Sequence, residues 1–232
     1  MLRIITDFDG PIVDVSERYY RVYQYCLEKT RYPGQITCLL SKEEFWQLKR
    51  QQVSEKRIGE MSGLDEDQAR KFAALRRQTV HTLPYLVHDR PVAGAIETLE
   101  LIQKKLRFDL VVMTMRRVVE LDHALNRYDL GRFFPSDRRY CLSNSYVKTT
   151  DVKDKPLLMA RALKELPPAA QTWMVGDTEA DIAAAKSQNI KVIGVLSGIR
   201  DRSRLEIYEP DYIVNNLASA VDLIAGSIRA IG

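Results

Sequence analysis

The chain opens with a short apolar run, Leu2-Arg3-Ile4-Ile5, that ends in Thr6-Asp7-Phe8-Asp9-Gly10-Pro11. The run has the length and residue types of a buried strand. Two carboxylates one residue apart therefore stand at a strand end, followed by a turn. Burying acidic groups costs free energy unless a cation or hydrogen bonds compensate. In open α/β sheets, ligands bind in the crevice beyond the carboxyl ends of the strands. The two acids read as a metal site with a nucleophile or an acid–base group.

A stretch without credible strands follows. Asp14 and Glu17 have capping-box spacing, with Asp14 as N-cap, ahead of a helical stripe of Val15, Tyr19, Val22 and Cys26. Pro33-Gly34 ends that helix. Ser41 and Glu44 repeat the spacing before Phe45, Trp46 and Leu48, and Asp65 with Gln68 opens a third helix. Lys56-Arg57-Ile58-Gly59 falls in the break before it. After Arg90-Pro91 the pattern changes to alternation. Helices are predicted over 92–106, 116–128, 155–166, 179–188 and 217–228. Strands are predicted over 109–114, 140–142, 172–175, 191–195 and 212–214. The run Asp109-Leu110-Val111-Val112-Met113-Thr114 suits a strand buried on both faces.

Alternating strands and helices imply a parallel sheet with right-handed crossovers. The expected fold is α/β: a doubly wound, Rossmann-like sheet formed by 1–14 and 89–232. An all-helical module, 15–88, is inserted after the first strand. That position makes it a candidate cap over the strand end.

Composition narrows the functional classes. The 232 residues are 45% apolar, enough for a substantial core, and the formal net charge is +4. Arg116-Arg117 and Arg138-Arg139 are pairs, not runs. Without a basic stripe interleaved with aromatics, nucleic-acid binding is not expected. Three dispersed cysteines make neither a disulfide framework nor zinc spacing, so a reducing, cytoplasmic setting is expected. No apolar stretch approaches a membrane span and no signal peptide is read. His81, His88 and His123 are scattered, and no dinucleotide, phosphate-loop or metalloprotease motif occurs.

Useful groups recur at strand ends and helix starts: Asp7 and Asp9, Thr114, Lys155, and Asp177 with Asp181. Singly, each has an ordinary structural explanation. Together, their order and setting resemble the haloacid dehalogenase superfamily. Asp7-Phe8-Asp9-Gly10 resembles its first motif and Thr114 its second. Lys155-Pro156 resembles the third, and Gly176-Asp177-Thr178-Glu179-Ala180-Asp181 the fourth. The resemblance spans nearly the whole chain and includes a helical insert, as in the phosphoglycolate phosphatase-like branch. Pro11 departs from the pattern, where the family commonly has Thr; proline removes a backbone donor and restricts the turn.

The resemblance implies a magnesium-dependent phosphatase acting on a small phosphorylated metabolite through an aspartyl-phosphate. Mg2+ would be held by Asp7, Asp177 and the backbone carbonyl of Asp9, with Asp181 ligating or orienting a bound water. Asp7 would be the nucleophile and Asp9 the acid–base group, in surroundings that favour its neutral form. Thr114 and Lys155 would hold and neutralise the phosphate. Arg57, read in a cap loop, would grip an anionic substrate tail. A phosphomutase using the same phosphoaspartate is the nearest alternative; a noncatalytic module binding a phosphorylated ligand or a partner protein is another. The expected state is a monomer or weak homodimer.

Overall fold

The computed structural model describes residues 1–229, with side chains through residue 227; the end of the expected 89–232 segment lies outside them. In chain order, β1 (Leu2–Thr6) runs into the acidic turn and the two-residue β2 (Val13–Asp14). The helices α1 (Ser16–Thr30), α2 (Lys42–Arg50), α3 (Glu55–Met61), α4 (Glu66–Thr79) and α5 (Leu83–Leu86) follow. The chain returns through β3 (Arg90–Pro91), which pairs antiparallel with β2. Next come α6 (Ala95–Leu101), a π-helical turn over Ile102–Leu106, β4 (Asp109–Arg117), α7 (Val118–Arg127) and β5 (Arg139–Leu142). Then follow α8 (Asp151–Glu165), β6 (Gln171–Gly176), α9 (Glu179–Lys186) and β7 (Lys191–Val195). The described chain closes with α10 (Arg202–Glu206), β8 (Tyr212–Val214) and α11 (Leu217–Arg229).

Six strands form one parallel sheet in the order β5-β4-β1-β6-β7-β8. From β1 the chain adds β4 and β5 on one side, then β6, β7 and β8 on the other. The winding therefore reverses beside β1, which opens a crevice at the carboxyl ends of β1, β4 and β6. This is the doubly wound α/β architecture read from the alternation. Its core includes Ile5, Val111, Met113, Met174 and Val192. At the opposite ends of the strands, Asp109 accepts from buried Arg3 (2.7 Å) and from Arg138 (2.7 Å).

The chain divides into two compact units, Met1–Asp14 with Arg90–Gly232, and Val15–Asp89. The second unit is helical and has its own core, with Val22, Tyr23, Phe45, Ile58 and Phe72. Tyr23 stacks on Phe45 at 4.8 Å. Asp89 belongs to this unit, where its carboxylate pairs with Arg18 at 3.0 Å, both fully buried.

Three local readings are corrected. Asp14 does not cap α1: it lies in β2 opposite Arg90, and the N-cap is Val15 without a side-chain bond. The segment around Arg57 is not a loop. Ser54 accepts from the Arg57 amide and starts α3. The helix carrying Lys155 begins a turn earlier than the predicted 155–166, at Asp151, so that Pro156 lies inside it. The predicted capping boxes at Ser41–Glu44 and Asp65–Gln68 are both formed.

Candidate active site

Sheet register brings the acids together. Thr6 is level with Val112 on β4 and with Val175 on β6. Asp7 is therefore the first residue beyond β1, and its amide still bonds the Val175 carbonyl (2.8 Å). Asp177 follows directly after β6, and Asp181 lies in the first turn of α9. Asp7, Asp177 and Asp181 are all buried, and each contributes an oxygen to a cluster within 4.8 Å. Lys155 reaches in from α8, bonding Asp7 Oδ2 at 3.0 Å and Asp181 Oδ1 at 2.5 Å. Thr114, near the end of β4, is buried at the level of the acidic turn.

The two rear acids are held differently. Asp181 Oδ2 accepts from the amides of Asp177 (3.1 Å) and Thr178 (3.0 Å) and from the Thr178 hydroxyl (2.8 Å). Asp177 Oδ2 accepts from the Ile199 amide (2.6 Å). Asp177 Oδ1 is buried with no hydrogen-bond partner among the described residues. Glycine makes room for this carboxylate. A Cβ on Gly10, whose φ is +90°, would stand 2.4 Å from Asp177 Cγ, and one on Gly198 1.9 Å from its Oδ2.

Crowding sets the electrostatics. Burial pushes the Asp7 carboxyl well above its usual range; Lys155 opposes this, while Asp181, Asp177 and Asp9 add to it. Burial and then repulsion from Asp181 raise Asp177 to about 7, against the Ile199 amide and Lys155. For Lys155, burial pulls the ammonium down, but Asp181 and Asp7 outweigh it and the net shift is upward.

Three buried carboxylates set against one lysine, with one oxygen orphaned, form a hard-oxygen donor set that fits a divalent cation. The carboxylate of Asp9 lies outside this cluster. It is ion-paired with Arg116, whose Nε and Nη2 stand 2.8 and 2.7 Å from Asp9 Oδ1. The surroundings expected to favour a neutral Asp9 are thus replaced by a guanidinium contact. Arg57 belongs to the helical unit, exposed and 3.2 Å from Glu60.

Sequence reasoning missed Arg116 and the loop after β7. In that loop the Ser197 hydroxyl donates to the Gly10 carbonyl (2.8 Å), bracing the turn that carries Pro11. Arg200 forks onto Glu179 with two bonds of 2.9 Å. A Ser-Gly pair just after an apolar strand was the available signal.

The family model described as HAD-hydrolase-like matches residues 152–220. The pyrophosphatase PpaX of Halalkalibacterium halodurans is 23% identical over 236 residues, covering 97% of this chain and 98% of its own. A crystal structure of a predicted phosphatase from Clostridium acetobutylicum superposes with a TM-score of 0.68 at 21% identity, over 97% of this chain and 98% of its own. A haloacid dehalogenase-like family hydrolase from Streptococcus pneumoniae does so with a TM-score of 0.68 at 18% identity, over 96% and 97%. The strand-end acids, the match over 152–220 and this likeness along nearly the full length agree: the chain is similar to hydrolases of the haloacid dehalogenase superfamily, among them enzymes of the phosphatase type.

Proposed function

We propose that this enzyme is a magnesium-dependent phosphatase that hydrolyses a small phosphate ester through a phosphorylated Asp7. The observation that carries the reading is the meeting of Asp7, Asp177, Asp181 and Lys155 at the ends of β1 and β6. Asp7 and Asp177 would hold the metal, with Asp181 ligating or orienting a bound water. Bound there, Mg2+ would neutralise phosphate charge and favour attack by an anion.

The chain's own groups account for the rest. Lys155 holds Asp7 by one carboxylate oxygen and supplies positive charge for phosphate oxygens. The Thr114 hydroxyl holds one of those oxygens. An Asp7 oxygen bonds to phosphorus as the bond to the leaving oxygen breaks, and that leaving oxygen takes its proton from Asp9, whose neutral form the incoming phosphate charge favours against the Arg116 contact. Water then attacks the phosphorus, passing a proton back to Asp9 and releasing inorganic phosphate and the Asp7 carboxylate. Because the relatives include a pyrophosphatase, pyrophosphate belongs beside metabolite monoesters on the test panel.

The test is phosphate release from an aryl phosphate and from that panel, with magnesium and with chelator. Asp7→Asn is expected to lower turnover by at least about a thousandfold, as loss of a nucleophile does in other enzymes. Full turnover in Asp7→Asn, or in chelator, would overturn the mechanism. Isomer formation without phosphate release would redirect it to a mutase.

A further inference from the structure

Arg116 is 1% exposed, and its guanidinium lies 5.0 Å above the centre of the fully buried Phe8 ring. Burying an arginine is unfavourable unless a paired charge and good geometry offset it. Its partner Asp9 keeps 23% of its side chain exposed. The pair thus joins a buried cation to a carboxyl that stays partly exposed.

Both bonds converge on one oxygen, Oδ1, which restricts rotation of the Asp9 carboxyl. The Arg116 amide also donates to Thr114 Oγ1 (3.2 Å). One stretch at the end of β4 therefore steadies both the Thr114 hydroxyl and the Asp9 carboxyl. The first-motif turn carries Pro11, which has neither a hydroxyl nor an amide proton to offer.

We infer that Arg116 is a positioning residue: it holds the Asp9 carboxyl in the orientation from which the leaving oxygen is protonated. The inference rests on the acid–base reading of Asp9 given above. An acid positioned in this way matters most where the departing oxygen is strongly basic. It matters little where the leaving group is already a stable anion.

The experiment measures kcat/KM across phosphate esters from nitrophenyl to alkyl leaving groups, for the parent enzyme, Arg116→Ala, Arg116→Lys, Asp9→Asn and the double variant Asp9→Asn/Arg116→Ala. This ratio reports events through departure of the leaving group and is blind to the later water step. Arg116→Ala is expected to lower it about tenfold or more for alkyl phosphates and less than about threefold for nitrophenyl phosphate. Arg116→Lys should recover part of the loss. The double variant should be no slower than Asp9→Asn, because two groups acting as one unit are not additive. An equal loss for every leaving group, or losses that multiply in the double variant, would overturn the inference. If Asp9→Asn itself leaves the leaving-group dependence unchanged, the acid–base reading fails and the positioning role falls with it. Should Arg116→Ala not fold, Arg116→Lys alone decides: steeper dependence supports the role and an unchanged slope rejects it.

Discussion

At the residue scale, Asp177 is held largely by what is absent around it. It accepts one amide bond, and two glycines leave it space that a methyl group would fill. Gly198→Ala would force the carboxylate or the loop after β7 to move. A displacement near 1 Å in an active site can cost about a hundredfold in rate. Gly198→Ala is therefore expected to lower kcat/KM about a hundredfold and to raise the magnesium concentration needed for half-maximal rate. Gly226→Ala is the control: nothing lies within 4 Å of a Cβ there, and the site is in α11. It should gain about 0.5–1 kcal/mol of stability with activity unchanged. Magnesium titration of both variants decides, and a Gly198→Ala enzyme with parental magnesium dependence would defeat the argument.

At the scale of elements, β1, β4 and β6 deliver Asp7, Thr114 and Asp177 by register, while helices contribute Lys155 and Asp181. In the helical unit the corresponding fixed point is the Arg18–Asp89 pair, which ties α1 to the last residue before β3. Asp89→Ala would leave the Arg18 guanidinium buried without that countercharge. The expected cost is about 3–5 kcal/mol by urea denaturation. An apolar double replacement, Arg18→Met with Asp89→Leu, should recover most of it. A double variant as unstable as Asp89→Ala would show that something other than the stranded charge is responsible. Elements of this kind differ in how well sequence exposes them. The strand over 191–195 and the capping boxes at Ser41 and Asp65 were legible because local chemistry decides them. Asp14 misled because pairing with β3, over seventy residues away, outweighed a local cap. Pro156 misled because proline is favoured in a helix's first turn, whereas α8 carries it inside. Motif order singles out Asp7, Asp177, Asp181 and Lys155, which the fold brings together. Arg116 was not, because its meaning lies in contacts with Asp9 and Phe8 across the sheet.

At the scale of the whole molecule, a net charge of +4 coexists with a buried acidic cluster that opposes folding when ionised. The sign follows from Asp177. Its carboxyl is raised from 3.8 to about 7 in the folded protein, first by burial and then by Asp181, so the native state holds that proton more tightly than the unfolded chain. The stability this contributes is complete below the ordinary carboxylate range and is lost as pH rises through about 7. A divalent cation bound to the ionised cluster would reverse the trend. Ligand present at about a hundred times its Kd stabilises by about 2.7 kcal/mol, or roughly 5–10 °C in Tm for a chain of this size. The rise in Tm on replacing chelator with magnesium should therefore be larger at about pH 8 than at about pH 5, where protons compete for the cluster. In chelator at the higher pH, Asp177→Asn should melt above the parent, by about 2 kcal/mol or several degrees, and should lose most of the magnesium increment. Thermal denaturation of both proteins at the two pH values, with and without magnesium, separates the possibilities. An increment that is independent of pH, or kept in full by Asp177→Asn, would mean that the cation binds somewhere other than Asp7, Asp177 and Asp181.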